Sequence, residues 1–168
     1  MSIVFSVFDP AQTYGGRKQF DCGLAVINMF VHDNLASQVK RLLSVAYVLT
    51  DSDQHDQFVG FFTIAHHAID ATKISTLQLG ALPRQIPCAR LIMLGVDQRY
   101  KHQQLGSRLM KQALAMTKAA SGRLGCFGLY LDADPGAIGF YQKLGFVLLQ
   151  GDQSPLPSPM FIPVRSIS

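Results

Sequence analysis

Short apolar runs alternate along the chain with stretches in which apolar residues recur every three or four positions. The runs have the length of strands, and there are seven of them: Ile3–Phe8, Ser44–Thr50, Phe58–Ile69, Leu91–Val96, Cys126–Leu131, Phe146–Leu149 and Met160–Arg165. The helical spacing covers three stretches, residues 24–41, 105–120 and 137–144. We therefore expect strands and helices in alternation, with a Pro- and Ser-rich loop over residues 151–159 before the last strand.

The stretch from Leu91 to Met110 organises the rest of the chain. Leu91–Val96 is apolar without alternation, which predicts a strand buried on both faces, and the polar segment Asp97–Gln103 ends it. A helix follows from Leu105. A strand, a tight loop and a helix N-terminus in this order are suited to bind phosphate, because the first helical turn has unpaired N–H groups and partial positive charge. Gly106 would let the backbone approach such a group closely.

Polar residues next to the other apolar stretches allow several assignments. Asp21 is a plausible N-cap of the first helix, whose Asn28 and His32 form either a cleft wall or, more simply, a solvated flank. His66 and His67 are adjacent in a strand, so their side chains point to opposite faces and no metal site is expected. Asp134 is expected to cap a later helix with Pro135 at its first position.

Composition sets outer limits on these assignments. The 168 residues suit a single domain over positions 1–168, and no apolar run reaches the roughly 18 residues of a membrane span. Three widely spaced cysteines without a CxxC motif, and an N-terminus without signal-peptide character, lead us to expect a cytoplasmic protein. A net charge of +4 is compatible with nucleic acid, with a phosphorylated cofactor or with an acidic partner.

Two motifs carry a resemblance to a known family. The segment from Lys101 to Ser107 resembles the Q/R-x-x-G-x-G/A loop of the Gcn5-related N-acetyltransferases (GNAT), with Gly106 matching and Gln104 standing where the first glycine belongs. Phe140–Phe146, FYQKLGF, is similar to the F-Y-x-x-x-G-F motif of the same superfamily. Phe20–Gly23, FDCG, is similar to the opening of acetyltransferase toxins from bacterial toxin–antitoxin pairs.

This resemblance implies a fold, a cofactor and a set of site residues. The fold would be that of a GNAT acyltransferase, a mixed α/β protein whose twisted mixed sheet is flanked by helices and admits acetyl-CoA. Tyr141 would be the catalytic residue. The residues that would bind acetyl-CoA are Leu94, Gly95, Val96, Lys101, His102, Gln103, Gln104, Leu105, Gly106 and Ser107.

The chemistry of acetyl transfer agrees with these assignments. A backbone N–H near Leu94–Val96 could stabilise the oxyanion, and Tyr141, with a reference pKa of about 10, could protonate the leaving thiolate. The alternative for Tyr141 is a packed helix residue. No carboxylate or histidine stands out as a base, which suits an α-amine of pKa about 8 better than a lysine.

The implied function is acetylation of the α-amine of aminoacyl-tRNA by a toxin that blocks translation. Its expected partners are charged tRNA, a ribbon-helix-helix antitoxin and a second copy of the chain in a homodimer. Basic residues that could contact RNA, or could simply be solvated, are Arg84, Arg90 and Lys111. Two other functions stay open: an ordinary small-molecule or protein N-acetyltransferase, and a catalytically impaired GNAT-fold binding module marked by Gln104.

Overall fold

The computed structural model describes residues 1–149 and 158–168, and these form one seven-stranded mixed sheet and four α-helices. The strands are β1 Ile3–Val7, β2 Val45–Asp51, β3 Gln57–Asp70, β4 Gln85–Val96, β5 Gly128–Ala133, β6 Val147–Leu148 and β7 Ser158–Pro163. The helices are α1 Ala25–Asp33, α2 Leu35–Lys40, α3 Leu105–Ala120 and α4 Ile138–Lys143. The predicted class, mixed α/β, is confirmed. Most of the predicted loop over residues 151–159 lies outside the described residues.

The strands follow the order β1-β2-β3-β4-β5-β7-β6 in the sheet. Strands β4 and β5 pair in parallel, whereas the pairs β1/β2, β2/β3, β5/β7 and β6/β7 are antiparallel. A parallel pair needs a crossover between its strands, and α3 lies in the segment of chain that joins β4 to β5.

The chain divides into two compact units. The first unit contains Met1–Ala65 and Ile92–Gln112, and the second contains His66–Leu91 and Ala113–Ser168. In the first unit, aromatic rings of the strands and the N-terminal segment pack edge to face, as Phe20 does on Phe58 with ring centres 5.2 Å apart. In the second unit, Cys88 is buried among aliphatic and aromatic side chains, including Phe161.

The central apolar run is a strand, but the prediction that it is buried on both faces is wrong. Ile92 is 39% exposed, and Met93 and Leu94 are only half-buried. Among the residues that the structure describes, the ladder between β4 and β5 joins Ala89–Leu91 to residues 129–131, and Ile92–Leu94 lie outside it with side chains partly open to solvent.

The start of α1 also differs from the prediction. Asp21 does not cap this helix, which begins at Ala25 after a turn in which Gly23 has φ of +94°. The Asp21 carboxylate instead accepts hydrogen bonds from the Gly23 N–H and the Asn28 side chain, both at 2.9 Å. His32 Nε2 lies 2.9 Å from the Phe20 carbonyl oxygen. Both side chains therefore tie α1 to the segment before it, and His32 also lines a cleft beside α2.

The later helices follow the predicted stripes more closely. Helix α3 buries Leu105, Leu109 and Ala113 and ends before Ser121, as the stripe indicated. Asp134 and Pro135 lie at the predicted N-cap and first positions, but of a short 3-10 turn and without a capping hydrogen bond from the Asp134 side chain, and α4 begins three residues later.

Candidate active site

Backbone N–H groups at the end of β4 are the first element of the site. The Met93 N–H donates to Thr63 Oγ1 at 3.1 Å, and the Asp97 N–H donates to the Val59 carbonyl at 2.7 Å, both on β3. Because successive residues of a strand direct their N–H groups to opposite edges, those of Leu94 and Val96 point away from β3. Among the described residues, the ladder to β5 covers Ala89–Leu91 and does not include these two N–H groups. These two N–H groups are therefore placed to bind an acceptor.

Gly95 lies between them and has a packing role. Its N–H faces β3 by the same alternation. A Cβ at this position would come within 3.2–3.3 Å of Ile27 and Cys22. Glycine thus allows the N-terminal segment and α1 to approach the strand closely.

A buried carboxylate, Asp97, holds the loop that follows β4. The side chain of Asp97 is 2% exposed and accepts hydrogen bonds from the Arg99 N–H at 2.9 Å, from the Arg99 guanidinium at 3.0 Å and from the Asp21 N–H at 3.3 Å. The Gln98 N–H donates in turn to the Asp21 carbonyl at 2.8 Å. Burial disfavours the charged form of Asp97, but the bonds from Arg99 and Asp21 outweigh it, and the pKa of the carboxyl lies below its usual value.

The sequence offered a signal for Asp97 that the prediction did not use. An acidic residue placed directly after an apolar strand is a candidate anchor for the next turn, because its carboxylate can accept from the N–H two residues on. The partner segment, Phe20–Gly23, was singled out for its resemblance to a family opening and for Asp21 as a helix cap. The structure gives this segment a physical task, since the backbone of Asp21 bonds to both Asp97 and Gln98.

The loop itself contains two strained residues. His102 has φ of +65° and Gln104 has φ of +58°, both in the left-handed region that favours glycine. Gln104 occupies the position where the family motif has a glycine. Gln104 therefore has a backbone conformation that glycine adopts more readily than a residue with a side chain does.

Free donors and cations meet where the loop enters α3. The first helical hydrogen bond runs from the Arg108 N–H to the Gln104 carbonyl at 3.1 Å, which leaves the N–H groups of Leu105, Gly106 and Ser107 without an acceptor inside the helix. Exposed cationic or basic side chains beside them are Lys101, His102 and Arg108. Gln103 is also exposed in this loop. All ten predicted cofactor-binding residues, Leu94–Val96 and Lys101–Ser107, belong to the first unit.

Tyr141, the predicted catalytic residue, belongs to the second unit and lies on α4. Its side chain is almost buried, and its ring meets those of Phe140 and Phe146 edge to face at 5.1 and 5.7 Å. Gly145 ends the helix with φ of +103°, so the chain turns back and the Phe146 N–H donates to the Tyr141 carbonyl at 3.2 Å. Burial, with a smaller contribution from the charge of Asp134, raises the pKa of Tyr141 to about 12. The hydroxyl therefore keeps its proton at neutral pH.

The three basic residues predicted to contact RNA have different surroundings. Arg90 Nη2 lies 3.0 Å from Asp132 Oδ2, and its guanidinium carbon lies 5.9 Å from the centre of the Tyr130 ring. Arg84 is exposed, with Nε 3.9 Å from Asp70 Oδ2. Lys111 is exposed on α3 in the first unit. Arg90 thus already has an anionic partner, whereas Lys111 projects into solvent.

Other chemistry is limited in the described part of the chain. Within the described residues, 1–149 and 158–168, no group of three or more His, Cys, Asp or Glu side chains is arranged to hold a metal ion. Burial raises the pKa of the Cys88 thiol to about 12, which makes it a poor nucleophile. None of the helices described is both long enough and apolar enough to span a bilayer.

Comparison with known proteins gives consistent matches over most of the chain. The acetyltransferase (GNAT) domain family matches residues 44–148. The probable toxin TacT of Sinorhizobium fredii (strain NBRC 101917 / NGR234) is 26% identical over 161 residues, which cover 90% of this chain and 86% of that protein. A crystal structure of a bacterial toxin is 32% identical, with a TM-score of 0.93 over 98% of this chain and 92% of the other.

The toxin AtaT has a similar structure in two bound states. A crystal structure of AtaTR bound with acetyl-CoA is 26% identical, with a TM-score of 0.83 over 98% of this chain and 95% of the other. AtaT complexed with acetyl-methionyl-tRNAfMet is 24% identical, with a TM-score of 0.86 over 98% and 96% of the two chains, and its likeness concerns the fold.

Proposed function

This chain belongs to the acetyltransferase (GNAT) family, and on that basis we propose that it transfers the acetyl group of acetyl-CoA to the α-amine of aminoacyl-tRNA. The observation that carries the proposal is the loop before α3, where Gln104 has the positive φ that glycine favours and three backbone N–H groups have no acceptor inside the helix. The complex of AtaT with acetyl-methionyl-tRNAfMet supports the choice of acceptor, and the similarity to the probable toxin TacT supports a role as a toxin. Block of translation would follow, because an acetylated amine cannot form a peptide bond.

The residues of the loop fit the pyrophosphate of acetyl-CoA. The unpaired N–H groups of Leu105, Gly106 and Ser107 would donate to phosphate oxygens at the positive end of the α3 dipole. Lys101 and Arg108 would add charge. Because the main donors belong to the backbone, the replacement of glycine by Gln104 leaves them in place.

Acetyl-CoA, when bound, supplies an activated thioester. The N–H groups of Leu94 and Val96 would then donate to the carbonyl oxygen as negative charge develops on it. Such donors are fixed before the reaction, so they need no reorganisation when the charge appears.

Tyr141 would donate a hydrogen bond, and finally its proton, to the departing sulfur. Its pKa of about 12 keeps the hydroxyl protonated at neutral pH. An ordinary thiol has a pKa of about 8.5, so transfer to a solvated thiolate would be uphill. Burial beside Tyr141 would also raise the pKa of the leaving thiol above its value in water. Proton transfer from Tyr141 would then be less unfavourable than transfer to a solvated thiolate.

The acceptor must be neutral when it attacks. An α-amine with a pKa of about 8 is partly neutral at pH 7, whereas a lysine amine with a pKa of about 10.4 is almost fully protonated. The proposed site contains no carboxylate or histidine assigned as a base. An α-amine therefore needs less help from the protein than a lysine does.

We also propose the expected partners of a toxin of this kind. A ribbon-helix-helix antitoxin would neutralise the protein, and two copies of the chain would form a homodimer. The AtaTR complex supports an antitoxin partner. Co-expression with the small DNA-binding protein encoded next to the toxin should restore growth, and light scattering should give twice the monomer mass of 18.4 kDa.

Transfer of radiolabel from acetyl-CoA to charged tRNA tests the proposal. A panel of aminoacyl-tRNAs is compared with formyl-methionyl-tRNA, whose α-amine is blocked, and with a lysine-containing peptide. We expect label on one or more free aminoacyl-tRNAs and none on the formylated species. Label on the peptide but on no tRNA would favour an ordinary protein acetyltransferase. Absence of acetyl-CoA binding by calorimetry would favour a catalytically impaired module.

A further inference from the structure

A basic cleft lies between α1, α2 and the 3-10 turn Arg17–Gln19, all within the first unit. It has a volume of about 480 Å³. Its charged lining consists of four cations and one carboxylate: Arg17, Lys18, Lys40, Arg41 and Asp33. We call this set the basic cleft. With His32 neutral, these side chains carry a net +3, against +4 for the whole chain.

Two of the cations are held in position by the end of α1. Arg17 Nη1 donates to the Val31 carbonyl at 2.6 Å, and Lys18 Nζ donates to the His32 carbonyl at 2.5 Å. These carbonyls belong to the last turn of the helix, where the dipole favours positive charge. The two side chains are thereby fixed before any ligand arrives, which reduces the conformational entropy lost on binding.

The other two cations project freely from the end of α2. Lys40 is the last residue of the helix, Arg41 follows it, and both are exposed. Among the residues that the structure describes, the ion pairs within 4.0 Å involve other groups, so no carboxylate neutralises these four cations. Four cations around one cleft repel each other unless an anion joins them.

Phosphodiester is the anion that fits best. An arginine fork binds phosphate oxygens in pairs and a lysine adds a point charge, and the cleft offers two of each. The proposed acceptor is itself a polyanion. Of the arginines predicted to contact it, Arg90 is already paired with Asp132. Arg84 and Lys111 are exposed and remain available, and the basic cleft adds four further cations for the RNA backbone.

We infer that the basic cleft binds the phosphodiester backbone of the acceptor tRNA, through Lys40 and Arg41 on one side and Arg17 and Lys18 on the other. This inference rests on the proposed function, since it names the docking surface for the same substrate. Contacts of this kind carry no base specificity. They set affinity and register, and all charged tRNAs should share them.

The test measures binding of deacylated tRNA by fluorescence anisotropy as a function of salt. The variant is Lys40→Gln/Arg41→Gln, which leaves the anchored Arg17 and Lys18 in place. Its matched control is Lys73→Gln/Arg123→Gln, which removes two exposed charges from the second unit. Thermal unfolding of all three proteins checks that the substitutions leave the fold intact.

The expected result is a loss of tRNA affinity in the cleft variant and not in its control. The cleft variant should bind tRNA about tenfold more weakly at about 100 mM salt, and the slope of log Kobs against log salt should become shallower by about 1.5, since each phosphate contact contributes about 0.7–0.9. The control should stay within about twofold of the wild type. Equal behaviour of the cleft variant and its control overturns the inference.

Two further measurements distinguish tRNA binding in the cleft from binding of an acidic protein segment and from failure of the proposed function. A deca-aspartate peptide that displaces tRNA at lower concentration than a uridine ten-mer overturns the inference in favour of an acidic protein segment. Acetylation of charged tRNA is recorded in parallel. If the wild type binds tRNA through the cleft but transfers no acetyl group, the cleft stands and the proposed function fails.

Discussion

The loop after β4 and the helix that carries Tyr141 differ in which part of the residue supplies the proposed functional group: the backbone in the loop and a side chain in the helix. The loop is polar and exposed, and its binding groups are backbone N–H donors at the start of α3. Around Tyr141 the surroundings are aromatic and almost closed to solvent, and one side-chain hydroxyl carries the proposed chemistry.

This difference predicts how each region tolerates substitution. Backbone donors survive a change of side chain as long as the dihedral angles are kept, which is why Gln104 can stand where the family motif has glycine. A proton donor has no such substitute. We therefore expect the largest losses from Tyr141, intermediate losses from the residue that holds the loop, and small effects from the loop side chains themselves.

The largest effect should come from Tyr141→Phe. The ring contacts remain and only the hydroxyl is lost, so kcat for acetylation of charged tRNA should fall by about 10²–10⁴-fold while acetyl-CoA affinity changes little. Rapid-quench kinetics and calorimetry measure the two quantities. Tyr47→Phe, on a ring stacked between Phe5 and Phe62, is the control and should keep full activity. A Tyr141→Phe protein as fast as the wild type would rule out the proton-donor role.

The second effect should come from Asp97→Asn. The new amide group would face N–H donors of Arg99 or Asp21, so the free energy of unfolding should fall by about 2–4 kcal/mol and acetyl-CoA affinity should fall with it. Urea denaturation and calorimetry measure these changes. Asp56→Asn, an exposed site in the same unit, should change neither.

The pH dependence of Asp97→Asn provides an internal check. The folded protein lowers the pKa of Asp97, so the stability that its charge contributes is fully present above the unfolded pKa of about 3.9. That contribution is lost as pH falls through the lower folded value. The stability difference between wild type and variant should therefore shrink below about pH 4. A difference that stays constant down to pH 2 would contradict the role given to the carboxylate.

The third prediction concerns the pH–rate profile, which tests Tyr141 as the proton donor and the α-amine as the acetyl acceptor. Below the α-amine pKa of about 8, the rate should rise nearly tenfold per pH unit as the amine becomes neutral. Tyr141, with its pKa raised to about 12, stays protonated, so no decline should appear up to pH 9. Initial rates between pH 6 and 9 measure this profile. A decline with an apparent pKa below 9 would point to another proton donor.

The smallest effect should come from Gln104→Gly. Relief of the left-handed strain, worth about 1–2 kcal/mol, is offset by the flexibility of glycine in the unfolded chain, so stability should rise by up to about 1 kcal/mol. Acetyl-CoA affinity should stay within about threefold. Gln103→Gly, whose φ is not positive, should instead lower stability by about 0.5–1 kcal/mol. Equal effects at both positions would show that strain at Gln104 is unimportant.

Local patterns were sufficient to predict much of the fold. The long apolar run of β3, the stripe of α3 and the glycine after α4 each depend on nearby residues, and each was confirmed. The two motif segments were also recognisable, because a short loop and a short helix are encoded by consecutive residues.

Features that depend on distant partners could not be predicted. The apolar composition of residues 92–94 does not reveal that, among the described residues, these three lie outside the β5 ladder and are partly exposed. In the same way, the sequence shows Lys40 and Arg41 as a helix end. Only the fold brings them to the cleft that Arg17 and Lys18 also line.

The bond between Asp21 and Asp97 joins residues 76 positions apart, and the end of α4 packs at Gly145 against Ile162 of the last strand. As the chain leaves the ribosome, the loop cannot be fixed before β4 has emerged, and the surroundings of Tyr141 wait for β7. A protein that acetylates aminoacyl-tRNA would therefore be inert until β7 has been made, and until then it could not remove the ribosome's own supply of charged tRNA.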